Sequence, residues 1–160
     1  MFDGKLRAAR REHGSADEPV RGGGARRSAE DRVAASVLIV DDVEDNRDLY
    51  ATYFEHSGFD ADQACDGEEA LAKIAKAPPD VVIMDLSMPK LDGWEATRLI
   101  KSNPRTTHVI VIVVTGNSTP ANVEAARAAG ADDVCTKPCL PRDLLECVRR
   151  RLEQAPRRTR

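Results

Sequence analysis

The chain has 160 residues, with 27 acidic and 24 basic side chains and a formal net charge of −3 at pH 7, which is the size of one domain with tails. No apolar stretch approaches the roughly 18 to 20 residues of a membrane span, and the N-terminus lacks the apolar core of a secretory signal. These features favour a cytoplasmic protein whose four cysteines are reduced.

Charge is unevenly spread along the chain. Residues 36–147 hold 20 acidic and 10 basic residues, whereas residues 148–160 hold 6 basic and 1 acidic. The acidic body argues against nucleic-acid binding, which depends on phosphate neutralisation by Lys and Arg. Residues 1–35 lack sustained apolar periodicity and contain "RGGGARRSAED", so we predict a disordered or weakly ordered N-terminal tail. We place one ordered domain at residues 36–154 and a basic C-terminal tail at residues 155–160.

Short apolar runs recur along this domain, and each predicts a strand. The strong runs are VLIV at 37–40, VVIM at 81–84 and VIVIVV at 109–114, and weaker runs lie at 59–64 and 132–135. Runs of this length without alternation are typical of strands buried on both faces, as in a parallel sheet covered by helices.

Helical patterns lie between and after the runs, at residues 45–57, 67–76, 93–102, 120–129 and 141–153. A strand followed by a helix, five times over, predicts an α/β fold: a flavodoxin-like, doubly wound (βα)5 sandwich around a five-stranded parallel sheet. In such folds, ligands bind beyond the carboxyl ends of the strands.

Polar side chains stand at those strand ends. Asp41 and Asp42 follow the first strong run, Asp85 follows the second, Thr115 follows the third, and Lys137 comes shortly after the last run. Each residue alone has an ordinary explanation as a helix cap, a strand former or a surface charge. Their common position predicts that they meet at one edge of the sheet.

The chemistry of this set points to phosphoryl transfer. Neighbouring carboxylates repel one another, and Mg²⁺ relieves the repulsion while leaving room for a phosphoryl oxygen. Lys137 can add positive charge beside that oxygen, and the hydroxyl of Thr115 can donate a hydrogen bond to it. Asp85, on the middle strong strand, is the predicted nucleophile that forms an aspartyl phosphate.

Four motifs carry a resemblance to a known family: "VLIVDDVEDNRDLY", "VVIMDLSMPKLDGWEA", "VIVVTG" and "AGADDVCTKP". In this order, residues 37–153 resemble the receiver domain of two-component response regulators. The resemblance implies that Asp85 is the phosphoacceptor, that Thr115 is the switch hydroxyl and that Lys137, with a cis bond to Pro138, is the family's lysine. The Mg²⁺ ligands that it implies are Asp41, Asp42, Asp85 and the main-chain carbonyl of Ser87.

The resemblance also implies a function. Such a protein is a phosphorylation-dependent signalling switch that takes a phosphoryl group from a histidine kinase or a phosphotransfer protein. It is not an enzyme for other substrates, since it catalyses only its own phosphorylation and dephosphorylation. Its output is a protein–protein interaction, which we expect at the surface formed by helix 120–129, strand 132–135 and helix 141–153.

Other interpretations remain open at this stage. Few residues follow the last predicted helix, so we expect a stand-alone receiver without a DNA-binding output domain. The alternatives are a phosphorylation-independent binding module and a detached receiver of a hybrid histidine kinase. A phosphatase of the haloacid dehalogenase type is disfavoured, because neither Asp41 nor Asp85 has a second Asp two residues later.

Two residues depart from the family's pattern. Val134 stands where the family usually has Tyr or Phe, three residues before the lysine, and Cys139 stands where Phe is common. The aromatic side chain whose rotamer reports phosphorylation is therefore missing, while the residues of the reacting site are present.

Overall fold

The structure is a computed structural model that describes residues 33–156. In this part of the chain, strands and helices alternate in the predicted order, and every predicted boundary agrees with the structure to within one residue. The elements are β1 Ser36–Val40, α1 Glu44–His56, β2 Asp60–Ala64, α2 Gly67–Lys76, β3 Val81–Asp85, α3 Gly93–Ser102, β4 Ile110–Thr115, α4 Pro120–Ala128, β5 Asp133–Thr136 and α5 Pro141–Gln154. The predicted N-terminal tail before residue 33 and residues 157–160 of the predicted basic tail lie outside the described residues.

The strands form one parallel sheet in the order β2-β1-β3-β4-β5. The chain therefore reverses its winding direction after β2, and β3 occupies the centre of the sheet. This arrangement confirms the predicted doubly wound sandwich. It also confirms that the carboxyl ends of all strands face the same edge.

The sheet separates two apolar layers, because neighbouring strand residues point to opposite faces. Val37 and Ile39 of β1 pack with α1 and α5, in a layer that includes Phe54 and Leu144. Alternate strand residues, such as Leu38, pack on the other face with α2, α3 and α4. Burial on both faces explains why the strands read as uninterrupted apolar runs.

Polar side chains fix the starts of three helices. Asp66 accepts a hydrogen bond from the main-chain N–H of Glu69 at the start of α2, and Asp92 accepts one from that of Glu95 at the start of α3. Thr119 caps α4 in the same way. Each cap satisfies a main-chain donor that the helix leaves unpaired. Because α2, α3 and α4 each follow a strand, they begin close to the carboxyl edge of the sheet. Within residues 33–156, no helix is long and apolar enough to cross a membrane.

Candidate functional site

The carboxyl edge of the sheet brings the predicted polar residues together. Asp41 follows β1, Asp85 ends β3, Thr115 ends β4 and Lys137 follows β5. Because β1, β3, β4 and β5 are consecutive neighbours in the sheet, the four residues follow one another along this edge in the same order as the strands. The Lys137 side chain reaches back along the edge to the two carboxylates.

Three carboxylates form the acidic part of the site. One oxygen from each of Asp41, Asp42 and Asp85 lies within 4.8 Å of the other two. Asp41 and Asp85 are each only 4% exposed, whereas Asp42 is exposed. Two buried carboxylates and a solvent-facing third are a donor set that suits a hard divalent cation such as Mg²⁺. The residues present therefore fit the predicted ion.

Side chains of α1, which the motifs alone did not point to, hold Asp41 in place. The Asn46 amide donates a hydrogen bond to Asp41 Oδ2 at 3.2 Å, and Arg47 Nη1 donates one to the main-chain oxygen of Asp41 at 2.7 Å. The main-chain N–H of Val43 donates to Asp41 Oδ1 at 2.9 Å. The sequence does contain a signal for these two residues, because polar side chains in the first turn of a helix are within reach of the loop that precedes the helix.

Lys137 lies between the two buried carboxylates. Its Nζ is 3.3 Å from Asp85 Oδ1 and 3.7 Å from Asp41 Oδ2. The bond from Lys137 to Pro138 is cis, as the resemblance implied. The ammonium group thus supplies the positive charge closest to Asp85 among the described ion pairs.

Burial is the largest influence on Asp85, and it raises the pKa of this carboxyl above its ordinary value. The negative charge of Asp41 adds to the increase. The main-chain N–H of Ser87, at 3.2 Å from Asp85 Oδ1, and the Lys137 ammonium act in the opposite direction and favour the carboxylate. Asp85 is therefore a desolvated carboxyl group, and a cation at this edge would stabilise its charged form.

Thr115 is 5% exposed, and its hydroxyl is directed into its own loop. The hydroxyl donates a hydrogen bond to the main-chain oxygen of Asn117 at 3.2 Å and accepts one from the N–H of Asn117 at 3.1 Å. The same oxygen of Asn117 accepts a bond from the side chain of Asn122 in α4. Thr115 is thereby connected to the first turn of α4.

The loop after β3 is closely packed against the start of α3. An added Cβ at Gly93 would overlap the main-chain oxygen of Asp85 and lie 2.8 Å from the Cα of Leu86. The N–H of Gly93 also donates to the main-chain oxygen of Leu86. Glycine at this position therefore lets α3 begin directly beside Asp85.

The two residues that depart from the family's pattern lie on opposite faces of the sheet. Val134 is half-buried against the layer formed with α2, α3 and α4, and it pairs with Val113 of β4. Cys139 is half-buried against the layer of α1 and α5, and its main-chain oxygen accepts a 2.8 Å hydrogen bond from the Tyr50 hydroxyl. Burial raises the pKa of Tyr50 to about 12, so its hydroxyl keeps its proton at neutral pH.

A match to a known protein family covers most of the described chain. Residues 37–149 match the family model of the response regulator receiver domain. The chain belongs to this family. The resemblance of the four sequence motifs is thereby confirmed, and the domain is a receiver of two-component signalling.

Similar receivers occur in proteins of very different lengths. PilG of Pseudomonas aeruginosa is 33% identical over 113 residues, which cover 71% of this chain and 84% of PilG. The response regulator PleD of Caulobacter vibrioides is also 33% identical, over 66% of this chain and 23% of PleD. The CAI-1 autoinducer sensor kinase/phosphatase CqsS of Vibrio cholerae is 34% identical, over 68% of this chain and 16% of CqsS. The chain therefore spans less than a quarter of PleD and of CqsS.

Solved structures show the same fold. The chemotaxis protein CheY4 of Vibrio cholerae has a TM-score of 0.71 and 31% identity, over 74% of this chain and 98% of CheY4. The receiver domain of a signal transduction histidine kinase from Syntrophus aciditrophicus has a TM-score of 0.73 and 32% identity, over 79% of this chain and 96% of that domain. These similarities cover nearly the whole of each neighbour.

Proposed function

We propose that this receiver is a phosphorylation-dependent signalling switch that accepts a phosphoryl group on Asp85 from a histidine kinase or a histidine phosphotransfer protein. The observation that supports this most directly is the position of Asp85. It is a buried carboxylate that shares an oxygen cluster with Asp41 and Asp42 and lies 3.3 Å from the Lys137 ammonium. A carboxylate so placed can act as a nucleophile toward phosphorus.

The transfer involves one bond formed and one broken. A carboxylate oxygen of Asp85 attacks phosphorus, and the bond between phosphorus and the imidazole nitrogen of the donor histidine breaks, which returns the electron pair to that ring. Negative charge on the equatorial oxygens must be offset as they pass between the two groups. Lys137 is placed to do so, because its Nζ already lies beside Asp85 Oδ1.

Mg²⁺ would be held by Asp41, Asp42, Asp85 and the main-chain carbonyl of Ser87. When bound, the ion offsets the charge of the carboxylates and of the phosphoryl oxygens. Asn46 and Arg47 would keep Asp41 oriented toward this position, since both bind it in the structure.

Thr115 would convert the new charge into a change of the β4–α4 loop. An aspartyl phosphate carries about −1.5 to −2 charge on its phosphoryl oxygens in place of the single charge of the free carboxylate, and these strong acceptor oxygens compete with the main-chain oxygen of Asn117 for the Thr115 hydroxyl. Loss of that bond releases the segment that connects to Asn122. The output partner would then bind the surface of helix 120–129, strand 132–135 and helix 141–153.

The relatives support two settings for such a switch. PilG is mostly covered by its match, whereas the similar part of CqsS belongs to a sensor kinase/phosphatase. The proposed reaction at Asp85 takes place within the receiver, so it does not depend on which of these settings applies.

The test is phosphorylation by acetyl phosphate with and without Mg²⁺, resolved on a phosphate-affinity gel. We expect a shifted band that requires Mg²⁺ and is lost in Asp85→Asn. The matched control is Asp60→Asn, an exposed carboxylate at the opposite end of a strand, which should shift like the wild type. No shift in the wild type would favour a phosphorylation-independent binding module, and a shift that persists in Asp85→Asn would mean a different acceptor.

A further inference from the structure

Three thiols lie together where β5 meets α5. Cys135 of β5 and the following Cys139 both pack against the apolar layer in which Cys147 of α5 is buried. The thiol of Cys135 is within hydrogen-bonding reach of the thiols of both Cys139 and Cys147. All three are free thiols. Among residues 33–156, the group with ligand atoms close enough for a metal ion is the aspartate set, so these thiols do not form a metal cluster.

The thiols differ in their surroundings. Cys147 is 5% exposed, and its Sγ donates to Asp133 Oδ2 at 3.2 Å. Its proton is therefore held by a carboxylate inside the protein. Cys139 is half-buried and therefore more accessible than Cys147. Besides its contact with the Cys135 thiol, its Sγ has a weak contact of 3.9 Å with the main-chain oxygen of Leu140. Cys139 is thus easier for a small oxidant to reach than Cys147.

The contact between Cys135 and Cys139 also makes the pKa values of the two thiols differ. The hydrogen bond from the Cys135 thiol lowers the pKa of Cys139, whereas the pKa of Cys135 is raised by its two thiol neighbours and by burial. Thiolates, not thiols, react with peroxides. The sulfur of Cys139 is therefore the more reactive of the two.

We propose that Cys139 and Cys135 form an intramolecular disulfide when the protein meets a hydroperoxide, and that this disulfide slows phosphoryl transfer to Asp85. The second half of the proposal rests on the proposed function, and the first half does not. The position of Lys137 links the two halves, because Lys137 lies between the two cysteines in the sequence.

The oxidation balances with hydrogen peroxide as the oxidant. The Cys139 thiolate attacks one peroxide oxygen, the O–O bond breaks, and hydroxide leaves and takes up a proton to become water. The Cys135 sulfur then attacks the resulting sulfenic acid, the S–O bond breaks, and the thiol proton leaves with the oxygen as a second water. Two thiols lose two electrons in total, and the peroxide is reduced to two water molecules.

The resulting ring would contain the lysine of the site. The ring joins Cys135 of β5 to Cys139, whose main-chain oxygen accepts the 2.8 Å hydrogen bond from the Tyr50 hydroxyl. A covalent bond between the two sulfurs would constrain the backbone that carries Lys137, whose Nζ has contacts of 3.3 and 3.7 Å to lose. We therefore expect oxidation to weaken the positive charge beside Asp85.

The disulfide can be located by tryptic mapping of the full chain. Trypsin does not cleave between Lys and Pro, so Cys135 and Cys139 stay on one peptide, residues 128–142, whereas Cys147 lies on residues 143–149. After treatment with hydrogen peroxide, we expect peptide 128–142 to lose two hydrogen atoms and to regain them with dithiothreitol. A cross-link between peptides 128–142 and 143–149, or both thiols still open to alkylation, would overturn the proposal.

The effect on the site is measured on the same samples. Oxidised wild type should be labelled by acetyl phosphate several-fold more slowly than reduced wild type, and dithiothreitol should restore the rate. Cys139→Ser and Cys135→Ser should each abolish this difference, and Cys65→Ser, an exposed cysteine outside the cluster, should retain it. Equal rates in a fully oxidised sample would overturn the coupling to the site. Absence of labelling in the reduced protein would instead refute the proposed function, and the peptide map would still decide whether the disulfide forms.

Discussion

The main-chain N–H of Lys137 donates a hydrogen bond of 2.8 Å to the main-chain oxygen of Thr115. This bond extends the β4–β5 ladder by one step beyond the pair of Thr115 and Thr136. Thr115, whose hydroxyl faces the β4–α4 loop, is therefore joined through the backbone to Lys137, whose ammonium lies beside Asp85. This connection offers a route between the site and the proposed output surface that needs no aromatic side chain at residue 134.

Thr115→Ala tests the hydroxyl in that route. Its loss leaves the N–H of Asn117, an exposed residue, without its side-chain acceptor, which costs at most about 1 kcal/mol of unfolding free energy. We expect Thr115→Ala to be phosphorylated as the wild type is, but to show less than half of the wild-type amide shift changes in α4 on phosphorylation, measured by NMR. Thr115→Ser keeps the hydroxyl and should behave as the wild type. Full-sized shift changes in Thr115→Ala would contradict the switch role.

Lys137→Met tests the ammonium between the carboxylates. Removing one positive charge from two neighbouring carboxylates should tighten Mg²⁺ binding by roughly three- to tenfold in calorimetric titration, since the ion then meets less repulsion. Labelling by acetyl phosphate should nevertheless slow by about tenfold or more, because the phosphoryl oxygens lose a partner. Lys76→Met, at the exposed end of α2, is the control. Unchanged Mg²⁺ affinity in Lys137→Met would place the ion away from Lys137.

Gly93→Ala tests the contact between α3 and the loop after β3. The new Cβ overlaps the backbone at Asp85 and Leu86, and overpacking of this kind costs about 1 to 3 kcal/mol. We expect urea denaturation to show this loss of unfolding free energy. The matched control is Gly116→Ala, where nothing lies within 4 Å of an added Cβ. Equal stability of the two variants would show that the α3 start can shift freely.

Asp133 gives a prediction for pH dependence. Burial alone would raise its pKa, but hydrogen bonds from Arg151, Cys147, the Val134 N–H and Arg150 lower it from 3.8 to about 2. A carboxyl group with a lowered folded-state pKa stabilises the fold above its unfolded-state pKa and loses this contribution as the pH falls through the folded-state value.

The pH window for Asp133 is therefore about pH 4 down to pH 2. Across it, the wild type should lose on the order of 1 kcal/mol more unfolding free energy than Asp133→Asn, a figure reduced for solvent screening of the partly exposed partners. Chemical denaturation at several pH values measures the difference, with Asp60→Asn as the control. Parallel pH profiles for wild type and Asp133→Asn would show that these ion pairs do not stabilise the fold.

The sequence was sufficient for the elements and for the edge at which Asp41, Asp85 and Thr115 meet. Apolar runs report burial on both faces, and parallel strands place their carboxyl ends together. The pattern does not report which distant groups pair across layers. The bond from Tyr50 to the main-chain oxygen of Cys139 joins residues 89 positions apart, and the contact of Cys147 with Asp133 depends on how α5 packs on β5.

The position of β5 restricts how a partner can bind this side of the receiver. β5 is an edge strand of only four residues, and longer exposed edges invite another chain to extend the sheet. Here Arg150 and Arg151 of α5 reach Asp133 at 3.0 and 2.9 Å, which places charge beside the strand. Such an edge resists strand addition, so a partner at this side would have to contact side chains of the flanking helices rather than pair with the main chain of β5.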